Sequence, residues 1–451
     1  MLFGEGFARR ILMKRIWRSD ELLTAALFRN KLLWKIPFKM DVYALAQSQY
    51  WPREMMAELQ DVRLREIVKS ALHLPPWKDT LTDASDVGIA SFANLPVTSK
   101  DDLRELHTTR HISDRRDKGW NDHTSGSTGK PFHFMHDSHY ELRSYAICDR
   151  MFKAAGGGAQ YPVITMRSRP RRGMFLGSNG ILFYLRSYNN LRHRLRALIA
   201  LASRFPDGVI VQSFSSSLVE LARLMQEEGT TLPIRAIIGT GEGLSDTQRH
   251  NIEDALKTKL YMAYTARELG WLGFECEEHR LHINEEWAYL EVVDSSGATV
   301  PDGNEGRILV TTFDNLATPF IRYDTGDRGV IDSDSCPCGR TLRTLRLTGR
   351  VVELISLPGG RTVSLLDLSA TFDRYWQGVR QYQIVRKEEL SYLIRYIPGD
   401  RFDEIKAALE ATLIRILHPH VRIEWEQVDS IPESEGGKAV YFINEQVHSI
   451  S

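Results

Sequence analysis

The chain has 451 residues, 42% hydrophobic and 26% charged, with 58 basic side chains against 58 acidic ones. That length exceeds what one compact core holds and calls for two domains, while a net charge of zero removes any global electrostatic case for nucleic acid. No apolar run approaches a membrane span, no cleavable leader is expected, and four cysteines make no disulfide framework, so a reducing cytoplasm is the expected compartment.

Residues 1–50 read as a basic helical extension, with Arg9, Arg10, Lys14, Arg15 and Arg18 among Phe7, Ile11, Leu12 and Trp17. Such a helix either packs on the body with a solvated basic face or makes peripheral contact with a membrane. Residues 51–73 carry Met55, Leu59, Val62, Ile67 and Val68 at helical spacing, and Pro75-Pro76 ends that helix. In Leu95-Pro-Val-Thr-Ser-Lys100, Thr98 or Ser99 is expected to cap a further helix.

The run Thr124-Ser125-Gly126-Ser127-Thr128-Gly129-Lys130 has the chemistry a polyphosphate needs. Glycines let backbone N–H groups turn toward an anion, hydroxyls add donors, and the lysine adds charge. It is not a Walker A loop, since the spacing differs and Pro131 follows the lysine. By composition alone it also fits a surface turn. A long helix through Tyr140 and Cys148 is expected next, then an arginine-rich stretch between Pro162 and Asp207 that fits either a cationic channel or a solvated face.

The alternation then becomes clear. A short strand at 208–211 and a helix from Ser217 precede the apolar run Pro233–Ile238, which stops at Thr240-Gly241-Glu242. Ser245 and Gln248 form a capping box for the next helix, so the glycine turn lies at the carboxyl end of a strand, where open α/β sheets bind ligands. Strands are expected at 259–264, 287–293 and 306–312. Beyond Arg350 the pattern becomes a compact α+β unit, with strands at 382–385, 390–396 and 421–427 and a helix over 402–417.

Taken in order, the 124–131 loop, Thr240-Gly241-Glu242, Tyr264-x-x-x-Glu268, Tyr323-Asp-Thr-Gly-Asp327, Gly349-Arg350 and Lys438 resemble the adenylate-forming superfamily. Leu281-His-Ile-Asn-Glu285, Pro319–Asp327 and Cys336-Pro-Cys-Gly-Arg340 narrow the resemblance to phenylacetate–CoA ligases and their capsule-biosynthesis-associated relatives, over roughly residues 50 to 445. The resemblance implies an α/β fold, with a large N-terminal adenylate-forming domain of α/β subdomains (1–349) and a small mobile α+β C-terminal domain (350–451). It implies that the 124–130 loop cradles the ATP phosphates and Thr240, Gly241 and Glu242 border the adenine. Tyr264 and Thr265 stand at nucleotide-site positions, Glu268 would hold Mg²⁺, and Asp327 would take the ribose hydroxyls. Arg350 would serve at the hinge and reach the nucleotide, and Lys438 would approach the carboxylate and α-phosphate. The implied reaction is activation of a carboxylic acid, aromatic by resemblance, to an acyl-adenylate, followed by transfer to coenzyme A.

Two departures stand out. Thr265 and Arg267 occupy positions where the family has Gly and a hydroxyl residue, so a phosphate-positioning hydroxyl is missing or displaced to Thr265. After Gly349-Arg350 the expected acidic pair is replaced by Val351-Val352-Glu353. Three alternatives therefore stay open: an amine or hydroxyl acceptor, a separate carrier protein, or a catalytically silent nucleotide-binding relative. The resemblance also points to a homodimer. Cys276, Cys336 and Cys338 with an imidazole make a complete set for structural Zn²⁺. His282 is the better fourth ligand than His279 by resemblance, and Cys148 is expected in the core.

Overall fold

The structure is a computed structural model and describes residues 35–72, 74, 77–78, 88–108, 119–124, 132–157, 161–167, 182–186, 191–350, 354–375, 378–432 and 440–445. The basic segment before residue 35, the loop residues Ser125 to Lys130, the 351–353 departure and Lys438 lie outside these described residues.

Helices α1 (Lys35–Ser48) and α2 (Arg53–Ala71) come first. Helix α2 buries Met56, Leu59, Leu64, Ile67, Val68 and Ala71, the stripe that the apolar spacing predicts. After the short α3 (Ile89–Phe92), α4 (Lys100–Thr108) is capped by Ser99 rather than Thr98. The Asp102 amide donates to Ser99 Oγ at 3.3 Å, and Asp102 Oδ2 accepts from the Ser99 amide at 2.7 Å. Thr98 instead bonds the main chain beside Tyr323, its Oγ1 donating to the Ile321 carbonyl at 2.7 Å.

Strands β1 (Gly119–Thr124) and β2 (Phe132–Asp137) form a separate antiparallel hairpin whose paired ends, Thr124 and Phe132, bracket residues 125–131. Helix α5 (Ser138–Ala154) starts only after it, so the long helix expected directly after the loop is preceded by a strand. The reason is period-two burial, with Phe132, Phe134 and His136 buried on one face.

One sheet of eleven strands forms the body. Its parallel part contains β3 (Val163–Arg167), β4 (Leu182–Arg186), β5 (Val209–Phe214), β6 (Ile234–Thr240) and β7 (Leu260–Ala266). Helices α6 (Leu191–Ala202), α7 (Ser215–Glu227) and α8 (Asp246–Leu256) connect these strands. The strands β8 (Gly270–Glu275), β9 (Leu281–Ile283), β10 (Ala288–Val293), β11 (Glu305–Thr312), β12 (Tyr323–Asp332) and β13 (Thr344–Arg350) extend the sheet antiparallel. The order is β10-β11-β12-β13-β9-β8-β7-β6-β5-β3-β4, so β7 and β8 mark the change from parallel to antiparallel pairing.

A hairpin, β14 (Leu354–Ser356) with β15 (Thr362–Ser364), and helix α9 (Leu365–Asp373) lead into a second sheet. That sheet has four strands in the order β18-β17-β16-β19. They are β16 (Val379–Glu388), β17 (Ser391–Pro398), β18 (Arg422–Gln427) and β19 (Phe442–Asn444), with α10 (Phe402–Leu417) between β17 and β18.

Three apolar clusters correspond to these parts. Trp77, Phe132, Phe134, Tyr140, Trp287 and Phe320 anchor one beneath α2, α5 and the antiparallel strands. Val211, Leu221, Ile237 and Ile252 anchor another between the parallel strands and their helices. Phe372, Tyr382, Ile394, Leu409 and Leu413 form the third, where Phe372 stacks on Tyr382 with ring centroids 3.8 Å apart. Burying each such side chain contributes about 1.5–3 kcal/mol, so each unit holds itself together. The chain is α/β, with a large mixed sheet and a small α+β unit after it.

Candidate active site

Strand β6 ends at Thr240, a buried residue whose Oγ1 donates to the Ser213 carbonyl at 3.3 Å. Gly241 turns the chain with φ +75°, the left-handed region that glycine enters without a Cβ penalty. Glu242 is held to the start of α7. Its Oε2 accepts from the Ser216 amide at 2.8 Å, and its carbonyl accepts from Ser215 Oγ at 3.1 Å. A carboxylate on exposed helix amides is electrostatically favourable, so this side chain works first as a brace for the turn.

The neighbouring strand β7 carries Tyr264 and Thr265, then turns through Arg267 and Glu268 into β8. Tyr264 Oη donates to Asp327 Oδ2 at 2.7 Å. Tyr323, on the same strand as Asp327, donates to Glu268 Oε1 at 3.0 Å. Two tyrosine–carboxylate bonds thus run in opposite directions between β12 and the end of β7. Glu268 is buried and also pairs with Lys100 Nζ at 3.6 Å. Arg350 closes β13 directly opposite Asp327. Only glycine fits at Gly270 (φ +78°), because a Cβ there would sit 2.5 Å from Tyr140 Oη and 2.8 Å from the Trp287 ring.

The structure brings Tyr264 to Asp327 and Tyr323 to Glu268, sets the backbone of Arg350 opposite Asp327, and places Thr240 to Glu242 at the end of β6, next to β7. Thr124 closes β1 and introduces the loop of hydroxyls and glycines. Tyr323 and Lys100 were given no role by sequence reasoning. Both stand inside the quoted motifs Pro319–Asp327 and Leu95–Lys100, so the motif was visible, but the partner of each lies far along the chain.

A second cluster lies apart from these residues. Side-chain ligand atoms of Cys276, His282, Cys336 and Cys338 all fall within 4.8 Å of one another. Cys276 and Cys336 sulfurs are 3.7 Å apart, and Cys338 Sγ is 3.3 Å from His282 Nε2. Ligands about 2.3 Å from a tetrahedral zinc would stand about 3.8 Å from each other, so the sulfur spacing fits that ion. His282 Nδ1 donates to the Leu342 carbonyl at 2.9 Å, which directs Nε2 toward the thiols. Burial lowers the His282 imidazole to about 4 and pushes the Cys276 thiol up to about 12. Burial also favours the neutral Cys338 thiol, but hydrogen bonds from the Arg340 backbone and side chain outweigh it and shift the group down. His279 lies outside the cluster, 3.4 Å from Glu275 Oε2 and 3.3 Å from Arg249 Nη1. Cys148, on α5, is buried in the first core.

No protein-family model matches the chain. The chain is 27% identical over 362 residues to a phenylacetate–coenzyme A ligase of Thermus thermophilus, covering 75% of this chain and 80% of that one. It is 24% identical over 413 residues to protein CapK of Staphylococcus aureus, covering 86% and 89%. Among solved structures, 2-hydroxyisobutyryl-CoA ligase in its postadenylation state superposes with a TM-score of 0.71 at 19% identity, covering 90% of this chain and 94% of that chain. The sequence relatives and the shared fold agree with the ordered motifs around Glu268 and Asp327: the chain is similar in sequence to phenylacetate–coenzyme A ligases and to CapK, and it shares its fold with 2-hydroxyisobutyryl-CoA ligase.

Proposed function

We propose that this protein is an ATP-dependent, AMP-forming acid–thiol ligase that activates a carboxylic acid and passes the acyl group to coenzyme A. The observation that carries this reading is the reciprocal pair of bonds, Tyr264 to Asp327 and Tyr323 to Glu268, which ties two carboxylates of separate segments together. Relatives named as phenylacetate–coenzyme A ligases support a thiol acceptor and an aromatic acid.

In the first step a carboxylate oxygen attacks the α-phosphorus, the new P–O bond forms, and the bond to the departing pyrophosphate breaks. In the second, the thiol loses its proton to solvent, its sulfur attacks the acyl carbonyl, and AMP leaves with the bonding pair. Asp327 would orient the ribose and the 124–130 loop would hold the phosphates. Lys438 would offset charge where the carboxylate meets phosphorus. Glu268 would hold Mg²⁺, which when bound screens the negative charge of the triphosphate. Residues after Arg350 would rotate as a unit between the two steps.

Cys276, His282, Cys336 and Cys338 would hold a structural zinc ion, closed by four protein ligands and remote from the chemistry. The protein would act in the cytoplasm, where its free cysteines stay reduced.

The test is acid-dependent exchange of labelled pyrophosphate into ATP across aromatic and aliphatic acids, for the native chain and Lys438→Ala. Exchange that needs the acid and falls about 10²-fold or more in the variant is expected. Undiminished exchange without Lys438 removes that residue from the reaction, and ADP as the product overturns the ligase reading.

A further inference from the structure

By the resemblance drawn from the sequence, Arg267 takes the place of a hydroxyl residue, and its surroundings give it a definite geometry. Its Nε donates to Asp122 Oδ2 at 3.0 Å, and its Nη2 meets Asp122 Oδ1 at 2.7 Å. This is a two-pronged guanidinium–carboxylate pair, the orientation that fixes an arginine most firmly. The Arg267 carbonyl is also held, accepting from His136 Nε2 at 3.2 Å. His136 is itself fixed, buried and stacked on Tyr140 with ring centroids 3.9 Å apart. Asp122 belongs to β1 and His136 to β2, so both strands of the hairpin that brackets the 125–131 loop grip this one residue.

Alternation along β1 puts Asp122 and Thr124 on the same face, so the guanidinium lies over the face that carries the loop's first hydroxyl. A guanidinium has five N–H donors, and Asp122 engages one on each of two nitrogens. The Arg267 side chain remains 40% exposed, which leaves its other N–H donors accessible. The residue next in sequence, Glu268, pairs with Lys100 at 3.6 Å.

We propose that Arg267 is a polyphosphate-binding residue, oriented by Asp122, which grips the pyrophosphate part of the nucleotide. This rests on the ligase reading for the identity of the ligand. A planar, permanently charged fork suits phosphate oxygens better than a neutral hydroxyl. Asp122 contacts no phosphate itself and acts as a positioning residue.

The probe is magnesium pyrophosphate, titrated calorimetrically into the native chain, Arg267→Ala, Arg267→Lys, Asp122→Ala and the double Ala variant, with thermal midpoints recorded for each. The inference expects the dissociation constant to rise about tenfold in Arg267→Ala and less in Arg267→Lys, which keeps charge but loses the fork. Asp122→Ala should weaken binding by a smaller factor, and the double variant should be no worse than Arg267→Ala, since Asp122 works through Arg267. Unchanged affinity in Arg267→Ala, or single losses that simply add, overturns it. Acid-dependent exchange measured in parallel separates the two ideas. Full exchange and an unchanged pyrophosphate KM in Arg267→Ala sink this inference and leave the ligase reading, whereas Arg267-dependent pyrophosphate binding without any exchange does the reverse.

Discussion

Tyr264 donates its hydroxyl to Asp327 at 2.7 Å across the boundary where the large sheet passes from parallel to antiparallel strands. The bond spans two separate segments, one ending a parallel strand and one within an antiparallel strand, and it fixes which way the Asp327 carboxylate faces. Tyr264→Phe deletes the donor while keeping the ring. If Asp327 takes the ribose, the KM for ATP should rise roughly fivefold with kcat nearly unchanged, matching a hydrogen bond of about 1 kcal/mol. Steady-state exchange kinetics check this, with Tyr323→Phe as the comparison. Loss of the Tyr323 bond to Glu268 should shift the Mg²⁺ requirement rather than the ATP affinity.

Much of this arrangement was legible in the sequence, because it depends on local signals. The apolar run before Thr240 and the Ser245–Gln248 capping box are readable within a few residues. The structure shows both halves of that box, at 3.1 Å each. The hairpin bracketing residues 125–131 was not legible. Its strands, Gly119–Thr124 and Phe132–Asp137, are short, and the apolar residues of the second are interrupted by histidines, so pairing across the intervening loop stabilises them more than their own composition does. Lys100 could be read as a helix start but not as the partner of Glu268, since no local pattern encodes a contact so distant in sequence. Arg267 was legible as a departure, but its meaning needed Asp122 beside it.

The cysteine–histidine cluster predicts a metal content. Purified protein should carry about one zinc per chain, since four ligands at this spacing make one closed site. Cys336→Ser should lower that content and the thermal midpoint together, because zinc binding is linked to folding of the β8–β9 turn and the 336–340 turn. Mass spectrometry for metals and a melting curve decide it. A variant that keeps full zinc and full stability would remove Cys336 from the set.

Arg150 and Glu286 form a buried two-pronged pair, with Nη1 to Oε1 at 2.7 Å and Nη2 to Oε2 at 3.0 Å. Ser48 Oγ donates to the same carboxylate at 2.5 Å, so the group ties α1 and α5 to the turn before β10. Arg150→Met should destabilise the protein by about 3–5 kcal/mol, because it leaves a buried carboxylate without its counter-charge. The double variant Arg150→Met/Glu286→Met should recover much of that loss, since neither charge then needs solvation. Denaturant unfolding of both variants measures the difference. Equal destabilisation in single and double variants would place the cost in packing instead.

Asp373 gives a pH dependence whose sign can be derived. It ends α9, next to the small sheet, and reaches the start of α8 on the large one, where Ser245 Oγ donates to Oδ2 at 2.8 Å and Gln248 Nε2 to Oδ1 at 2.9 Å. Close by, Arg223 of α7 donates to the Val379 carbonyl at 3.1 Å and also to that of Arg380. Burial raises the Asp373 carboxyl to about 6, and its two hydrogen bonds recover only part of that cost. Away from this contact the group would return to the ordinary aspartate value near 4. The contact therefore takes up a proton as it forms. Its stabilisation is complete below about pH 4 and is lost as the pH rises through about 6, a change of up to about 3 kcal/mol. Asp373→Asn should hold the contact closed at all these pH values and flatten the profile. Distance measurements between fluorophores on the two units, taken from pH 5 to 7.5, read this directly. The native chain should open as the pH rises while the Asn variant stays unchanged, and a native profile as flat as the variant's would show that Asp373 does not gate the contact.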